Sequence, residues 1–144
     1  MKSLRQKLEE AFKVYLKQTI DTGVYTGLGS FNVTFPAVVA SYLSGEEIHP
    51  QAHHIKAEIL ISVISSADNE TVEDADKKHN ELFGKVVEAC ETEDLAGNLM
   101  AAGDALIVNG IIQTTEEQPD IESDEAGQPV FKSGYTVQLT AGHN

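Results

Sequence analysis

The fold of this chain is decided by the stretch HHIKAEILISVIS, residues 53–65. Every odd position from Ile55 to Val63 is apolar, whereas the even positions begin polar and end mixed. This two-residue period predicts a β-strand with one face in the core and the other half exposed. A partly apolar second face often needs cover from a loop or from another subunit.

Three other segments have strand-like patterns. Residues 35–43, FPAVVASYL, are rich in apolar side chains on both alternating faces, which predicts an interior strand. Residues 105–113, ALIVNGIIQ, predict a strand buried on both sides, and residues 130–140 predict a strand with its apolar side chains facing inward. Residues 44–52 predict a polar loop. Residues 23–32 contain a glycine cluster that has neither the lysine of a P-loop nor the spacing of a dinucleotide-binding motif. We therefore predict a flexible connection there.

Two segments have the spacing of amphipathic helices. Ser3 followed by Gln6 has the form of a capping box, and the apolar stripe after it predicts a helix from residue 4 to about 19. Thr71 is the predicted N-cap of a second helix, residues 71 to about 91, whose first turn is acidic. Residues 92–104 are punctuated by glycine, which predicts a loop with a short helical turn.

The order of these elements is helix, strand, strand, helix, strand, strand. It predicts one α+β domain over residues 1–144, with a mainly antiparallel sheet and two helices packed on one face. A chain of 144 residues buries roughly two thirds of its unfolded surface and needs no disulfide or metal to fold. The single cysteine, Cys90, lies on the apolar stripe of the second helix and is predicted to pack in the core.

The last two strands are separated by a strongly acidic segment at about residues 114–129. Six of the ten residues from 116 to 125 are acidic and none is basic. We predict a long, solvated loop there and consider it a candidate interaction loop. Its acidic residues are Glu116, Glu117, Asp120, Glu122, Asp124 and Glu125. The segment lacks the alternating ligands and central glycine of an EF-hand, so no calcium site of that type is predicted.

Charge is distributed unevenly along the chain. The formal net charge is −13, which argues against sequence-specific binding of nucleic acid. Five basic and two acidic residues give the first 17 positions a charge of +3, which leaves −16 for the remainder. This asymmetry permits head-to-tail contact between copies of the chain, with Lys2, Lys13 and Lys17 as the candidate inter-subunit basic face.

A group of common metal ligands occurs at residues 46–54 and comprises Glu46, Glu47, His49, His53 and His54. Neighbouring residues of a strand point to opposite faces, which separates His53 from His54, and no second ligand cluster lies nearby in sequence. We therefore predict no metal site and no cofactor. No stretch approaches the roughly 18 apolar residues of a membrane span, so we expect a soluble intracellular protein without membrane contact.

His79 lies in the middle of the apolar stripe of the second helix, one turn after Asp76. A buried imidazole held by a carboxylate is the geometry of a general base. A histidine that packs at the edge of the core, with its hydrogen bonds satisfied, is the other interpretation. No motif supplies a nucleophile or a substrate anchor, so we predict no catalytic residues and no enzymatic activity.

These segments together resemble one protein family over nearly the whole chain. The N-terminal helix, the FPAVV strand, the HIKAEILISVIS strand, the TVEDADKKHNELFGKVVEAC helix and two closing strands around a long loop are similar to small bacteriophage tail terminator and tail-completion proteins. The resemblance implies an antiparallel sheet with helices on one face and assembly into a hexameric ring. It also implies a virion protein of a phage or prophage, assembled in the host cytoplasm, that caps the tail tube and joins tail to head through tail-tube and head-completion proteins. The family has no catalytic residues.

Two other functions stay open. One is a small α+β ligand-binding protein or enzyme, with a pocket between the sheet and the helices near His79. The other is an adaptor that binds a partner through the acidic loop.

Overall fold

The computed structural model describes residues 3–27, 34–49, 54–67, 71–103, 106–117, 119–123 and 127–143, and for residues 44–49, 54, 113 and 143 it describes the backbone alone. The elements in chain order are α1 (Leu4–Thr19), β1 (Gly23–Thr26), β2 (Ala37–His49), β3 (His54–Ser66), α2 (Val72–Cys90), α3 (Leu95–Ala102), β4 (Leu106–Glu116), β5 (Asp120–Ser123) and β6 (Pro129–His143). This order confirms the α+β class.

Within the described ranges, the strands form one six-stranded sheet in the order β1, β2, β3, β6, β4, with β5 also paired to β6. β3 lies at the centre and is antiparallel to both β2 and β6 over nearly its full length. One pair is parallel, β1 with β2. The predicted mainly antiparallel sheet is therefore confirmed.

The core lies between one face of this sheet and the helices. The odd-numbered residues of β3 from Ala57 to Val63 are buried, as the sequence period predicts. Their cross-strand neighbours on β6, Tyr135, Val137 and Leu139, are buried on the same face. Helices α1, α2 and α3 all contribute side chains to this one cluster, namely Leu8, Phe12, Leu16, Val86, Cys90, Leu95 and Leu99. The third helix lies where the sequence predicts a short helical turn, and it is longer than that turn.

Both predicted helices form with the caps that the sequence indicates. Ser3 and Gln6 make the reciprocal capping box, and Gln6 N donates to Ser3 Oγ at 3.2 Å. Thr71 is the N-cap of α2, with its side chain accepting from Asp74 N at 3.1 Å. The bounds of α1 and α2 agree with the prediction to within one residue at each end.

Three predicted connections contain regular structure instead. Residues 23–26 of the predicted flexible connection form β1, and residues 28–33 lie outside the described residues. The predicted loop after residue 43 is part of β2, which pairs with β3 as far as residue 49. Hydrogen bonds between the backbones of paired strands do not require apolar side chains. β2 therefore continues beyond residue 43 alongside the long β3, although this part of its sequence is polar. The short helical turn predicted within residues 92–104 is instead an eight-residue helix, α3, because Leu95 and Leu99 bury one of its faces.

The predicted loop at 114–129 is shorter than expected. Residues 114–116 belong to β4, residues 120–123 form β5, and residue 129 begins β6. Pairing with β6 satisfies the backbone of β5 whatever the charge of its side chains. All four β5 residues are exposed, so this described part of the segment is solvated, as predicted.

Two charged residues of α1, Lys7 and Glu9, are buried rather than solvated, and the role of Glu9 follows from its contacts. Glu9 is 6% exposed, and its Oε2 accepts a hydrogen bond from Tyr42 N at 2.9 Å. β1 ends opposite Ala40, and the Tyr42 N–H beyond that end is bound by this carboxylate. Arg5 lies 4.0 Å from the same carboxylate and 5.7 Å from the centre of the Tyr42 ring. Glu9 therefore ties α1 to the sheet.

We expect Glu9→Ala to lower the free energy of unfolding by about 1–3 kcal/mol, because it leaves the Tyr42 N–H without its acceptor. Glu9→Gln keeps an acceptor at the same place, so it is expected to lose less than half as much. Urea unfolding of both variants measures the difference. Equal losses in the two variants would show that the hydrogen bond is not what ties the helix to the sheet.

Candidate functional site

His79 is buried between α2 and the centre of the sheet. It is 3% exposed, with Ser65 Oγ 2.7 Å from Nδ1 and Ser133 Oγ 2.9 Å from Nε2. The ring also lies 5.8 Å from that of Phe131, centre to centre. Ser65 on β3 and Ser133 on β6 occupy core-facing positions of their strands, so the sheet presents both hydroxyls to the helix stripe that carries the histidine.

The two hydroxyls favour the neutral form of the imidazole. A neutral ring donates at one nitrogen and accepts at the other, and a hydroxyl can take either role, so both bonds form without a charge. Burial lowers the pKa of His79 below its ordinary value of 6.5, and the carboxylate of Asp76 partly opposes that shift. His79 is therefore neutral at pH 7.

Of the two interpretations of His79, the core histidine with its hydrogen bonds satisfied is confirmed, and the imidazole held by the Asp76 carboxylate is not formed. Asp76 is exposed and instead accepts a hydrogen bond from Asn80 Nδ2 at 3.4 Å. The real partners, Ser65 and Ser133, were missed. The sequence does contain a sign of them, since a serine occurs at a core-facing position of β3 and another at a core-facing position of β6. A buried hydroxyl needs a hydrogen-bond partner, and the facing helix is where that partner would be found.

A pocket of about 350 Å³ lies beside this histidine, between α2 and the end of the sheet where β2 begins. Its walls are formed by the apolar residues Phe35, Pro36, Ala75 and Leu82, the residues Thr22, Ser65 and Ser66, and the α2 residues Lys78, Glu81 and Lys85. The sequence indicated a pocket near His79. His79 itself does not line the pocket, and Ser65 is the residue that connects the two.

We name the sheet face opposite the helices the open face, because no helix of the described residues packs on it. It presents the even-numbered residues of β3, among which Leu60 and Ile64 are half-buried, as the sequence period predicts. Ile107 of β4 is half-buried on the same face. Apolar and polar side chains are therefore mixed on this face.

A small depression of about 140 Å³ on the open face is lined by Glu58, Thr115, Glu117, Thr136 and Gln138, and we call it the acidic depression. Glu117 folds over it, with its N–H donating to Gly134 O at 2.8 Å and its Oε1 accepting from Thr136 Oγ1 at 2.7 Å. Its two acidic residues, Glu58 and Glu117, give the depression a negative formal charge.

The acidic residues of the candidate interaction loop lie in different parts of the structure. Glu116 pairs with Tyr135 on the helix side of the sheet, whereas Glu117 lies on the open face. The Glu122 carboxylate is 2.9 Å from Lys132 Nζ, and this lysine lowers the pKa of Glu122. Asp120 is exposed at the start of β5. Asp124 and Glu125 lie outside the described residues.

The predicted basic face is carried by α1, on the side of the sheet opposite the open face. Lys13 is half-buried and Lys17 is exposed, one turn apart. Neither makes an ion pair with another residue that the structure describes. Lys2 lies outside the described residues. We call Lys13 and Lys17 the basic face from here on.

The other predicted site features concern metals, thiols and membranes. Of the residue 46–54 group, His53 and the side chains of the rest lie outside what the structure describes. In the described part of the chain, no three His, Cys, Asp or Glu residues are grouped to hold a metal ion. Cys90 packs in the core as predicted, and burial raises the pKa of its thiol to about 12. None of the helices described here has the length and apolar character to cross a membrane.

No protein-family model matches this chain, and no curated protein sequence matches it significantly.

Acidification is expected to destabilise the fold through His79. Because its pKa in the folded protein is below 6.5, the unfolded chain binds more protons than the folded one as the pH falls past that value. The contribution of His79 is therefore complete above pH 6.5 and is lost progressively at lower pH. His79→Gln keeps a donor and an acceptor but cannot titrate. Urea unfolding between pH 7.5 and 5 is expected to show a smaller acid-induced loss in the variant, and equal losses would contradict this role.

Proposed function

We propose that this protein is a structural subunit of a phage or prophage tail, which assembles into a ring that caps the tail tube and joins the tail to the head. The element order that resembles tail terminator proteins suggests the class. The observation that carries the proposal is the placement of the basic face and the open face on opposite sides of one sheet.

This placement favours head-to-tail association. Lys13 and Lys17 on α1 of one copy match in charge the acidic depression on the open face of the next copy, where Glu58 and Glu117 lie. A contact between two different surfaces repeats from copy to copy, and it closes into a ring when the rotation per copy divides the full turn. Six copies are the number that the resemblance implies.

The apolar part of the open face supplies affinity to such a contact. Leu60, Ile64 and Ile107 are half-buried in the single chain, so a neighbouring α1 would remove their remaining surface from water. Burial of apolar surface contributes roughly 25 cal/mol per Å². The charged pairs then set the orientation of the copies and their rate of association more than the affinity.

The same proposal accounts for the acidity of the chain. A ring at the head end of a tail surrounds the path of the DNA, and a net charge of −13 per copy repels a duplex rather than retaining it. The partners are then further copies of this chain, the tail tube and the head-completion proteins, and the location is the virion tail after assembly in the host cytoplasm.

Charge reversal tests the contact. We expect light scattering to find a discrete oligomer, close to a hexamer, in the wild-type protein. Lys13→Glu with Lys17→Glu places acid against acid and is expected to weaken association by roughly tenfold or more. Glu58→Lys with Glu117→Lys is expected to do the same, and an equal mixture of the two double variants restores both kinds of contact and therefore the oligomer.

The matched control is Lys77→Glu, which reverses one exposed charge on α2, away from both surfaces. Circular dichroism establishes that each variant is folded. A monomeric wild-type protein at every concentration and salt would reject the ring. An oligomer that neither double variant weakens would reject the contact between the basic face and the acidic depression.

A further inference from the structure

We propose that the end of the β2–β3 ladder binds a Zn²⁺ ion through His49, His54 and Glu46. These residues belong to one copy of the chain, so the inference goes beyond the proposed function and does not depend on it. The structure describes the backbone of all three residues, and the register of the two strands is what brings them together.

The register places the two histidines opposite each other. His49 of β2 and His54 of β3 form the last described pair of the antiparallel ladder. Directly opposed residues occupy the same face of a sheet, with Cβ atoms about 4.5–5.5 Å apart. Two histidines at this separation can bind one metal ion. The alternation that separates His53 from His54 does not apply to this pair, because its members come from two different strands.

A β-bulge brings a carboxylate to the same face. The pairing of β2 with β3 shifts between Glu47 and His49. Glu46 is opposite Lys56 and His49 is opposite His54, so both β2 residues share the face of these β3 positions although they are three residues apart. In a regular strand, residues three apart lie on opposite faces. The bulge therefore places Glu46 diagonally across from His54, at a distance that a long side chain can span.

The types of the three residues favour zinc. Two histidines and one glutamate are a ligand set that proteins use for Zn²⁺, with water in the fourth position. Ca²⁺ and Mg²⁺ prefer ligand sets made of oxygen atoms, so the two imidazoles favour a transition metal. The net charge of −13 also favours a cation over an anion near this surface.

The neighbouring positions of the same face have opposite effects on an ion. The β6 neighbour of His54 is Gly142, which adds no side chain to the face beside the histidine. Lys56, opposite Glu46, is exposed and carries a positive charge that opposes that of the metal. An ion at this place would join β2 to β3 beyond the bulge, where the ladder ends.

Zn²⁺ alone is the probe for the test. Isothermal titration of the metal-free full chain at pH 7.5 is expected to show saturable binding of about one ion per chain. ¹H–¹⁵N spectra of the histidine rings are expected to change at His49 and His54. The rings of His79, which is buried against two serines, and of His143 are expected to stay unchanged.

Variants at the three positions localise the ion. His49→Gln and His54→Gln are each expected to weaken Zn²⁺ binding by roughly tenfold or more, and Glu46→Gln by roughly threefold or more. Lys56→Gln removes the opposing charge and is expected to strengthen binding by roughly twofold.

The matched control is His143→Gln. His143 lies at the same end of the sheet, but it pairs with Leu106, whose side chain is in the core on the helix side. This variant is expected to leave Zn²⁺ affinity unchanged, and circular dichroism establishes that every variant is folded. The site is overturned by the absence of saturable binding, by half an ion per chain, by full affinity in His49→Gln or His54→Gln, or by an equal loss in His143→Gln.

Discussion

The whole structure depends on one constraint, the two unlike faces of the central strand β3. Its odd residues are apolar without exception from Ile55 to Val63, and they can leave water only against helices on the same side of the sheet. β2 and β6 pair with β3 over almost its full length, and their core-facing residues continue the same apolar layer. The same alternation produces the other face of the sheet, which is partly apolar and on which no helix of the described residues packs.

Polar groups at the edge of this layer are hydrogen-bonded to one another. Glu9 accepts from the Tyr42 N–H of β2, just beyond the end of β1, and His79 binds one hydroxyl from each of two neighbouring strands. Tyr135, the largest fully buried side chain, donates from its hydroxyl to Glu91 at 3.0 Å. Each of these hydrogen bonds joins a helix or its C-cap to the sheet, so they help to fix the position of the helices on the apolar layer.

The sequence allowed the central part of the fold to be predicted, because periodicity and caps are local. The two faces of β3 and the ends of α1 and α2 follow from residues adjacent to them in the chain. The full length of β2, the short strand β5 and the burial of Glu9 could not be predicted in that way, since each depends on a partner distant in sequence. The site shows the same limit: His79 was singled out by its helix stripe, but Ser65 and Ser133 become its partners only when β3 and β6 pair.

The proposed ring depends on a contact between the basic face of one copy and the open face of the next. A zero-length carboxyl-to-amine cross-linker can detect this contact in an equal mixture of ¹⁴N- and ¹⁵N-labelled protein. We expect cross-linked peptides that join Lys13 or Lys17 to Glu58 or Glu117, half of them carrying one label from each copy. Cross-links found only within one label, or no cross-link between these two surfaces in a protein that is oligomeric, would contradict it.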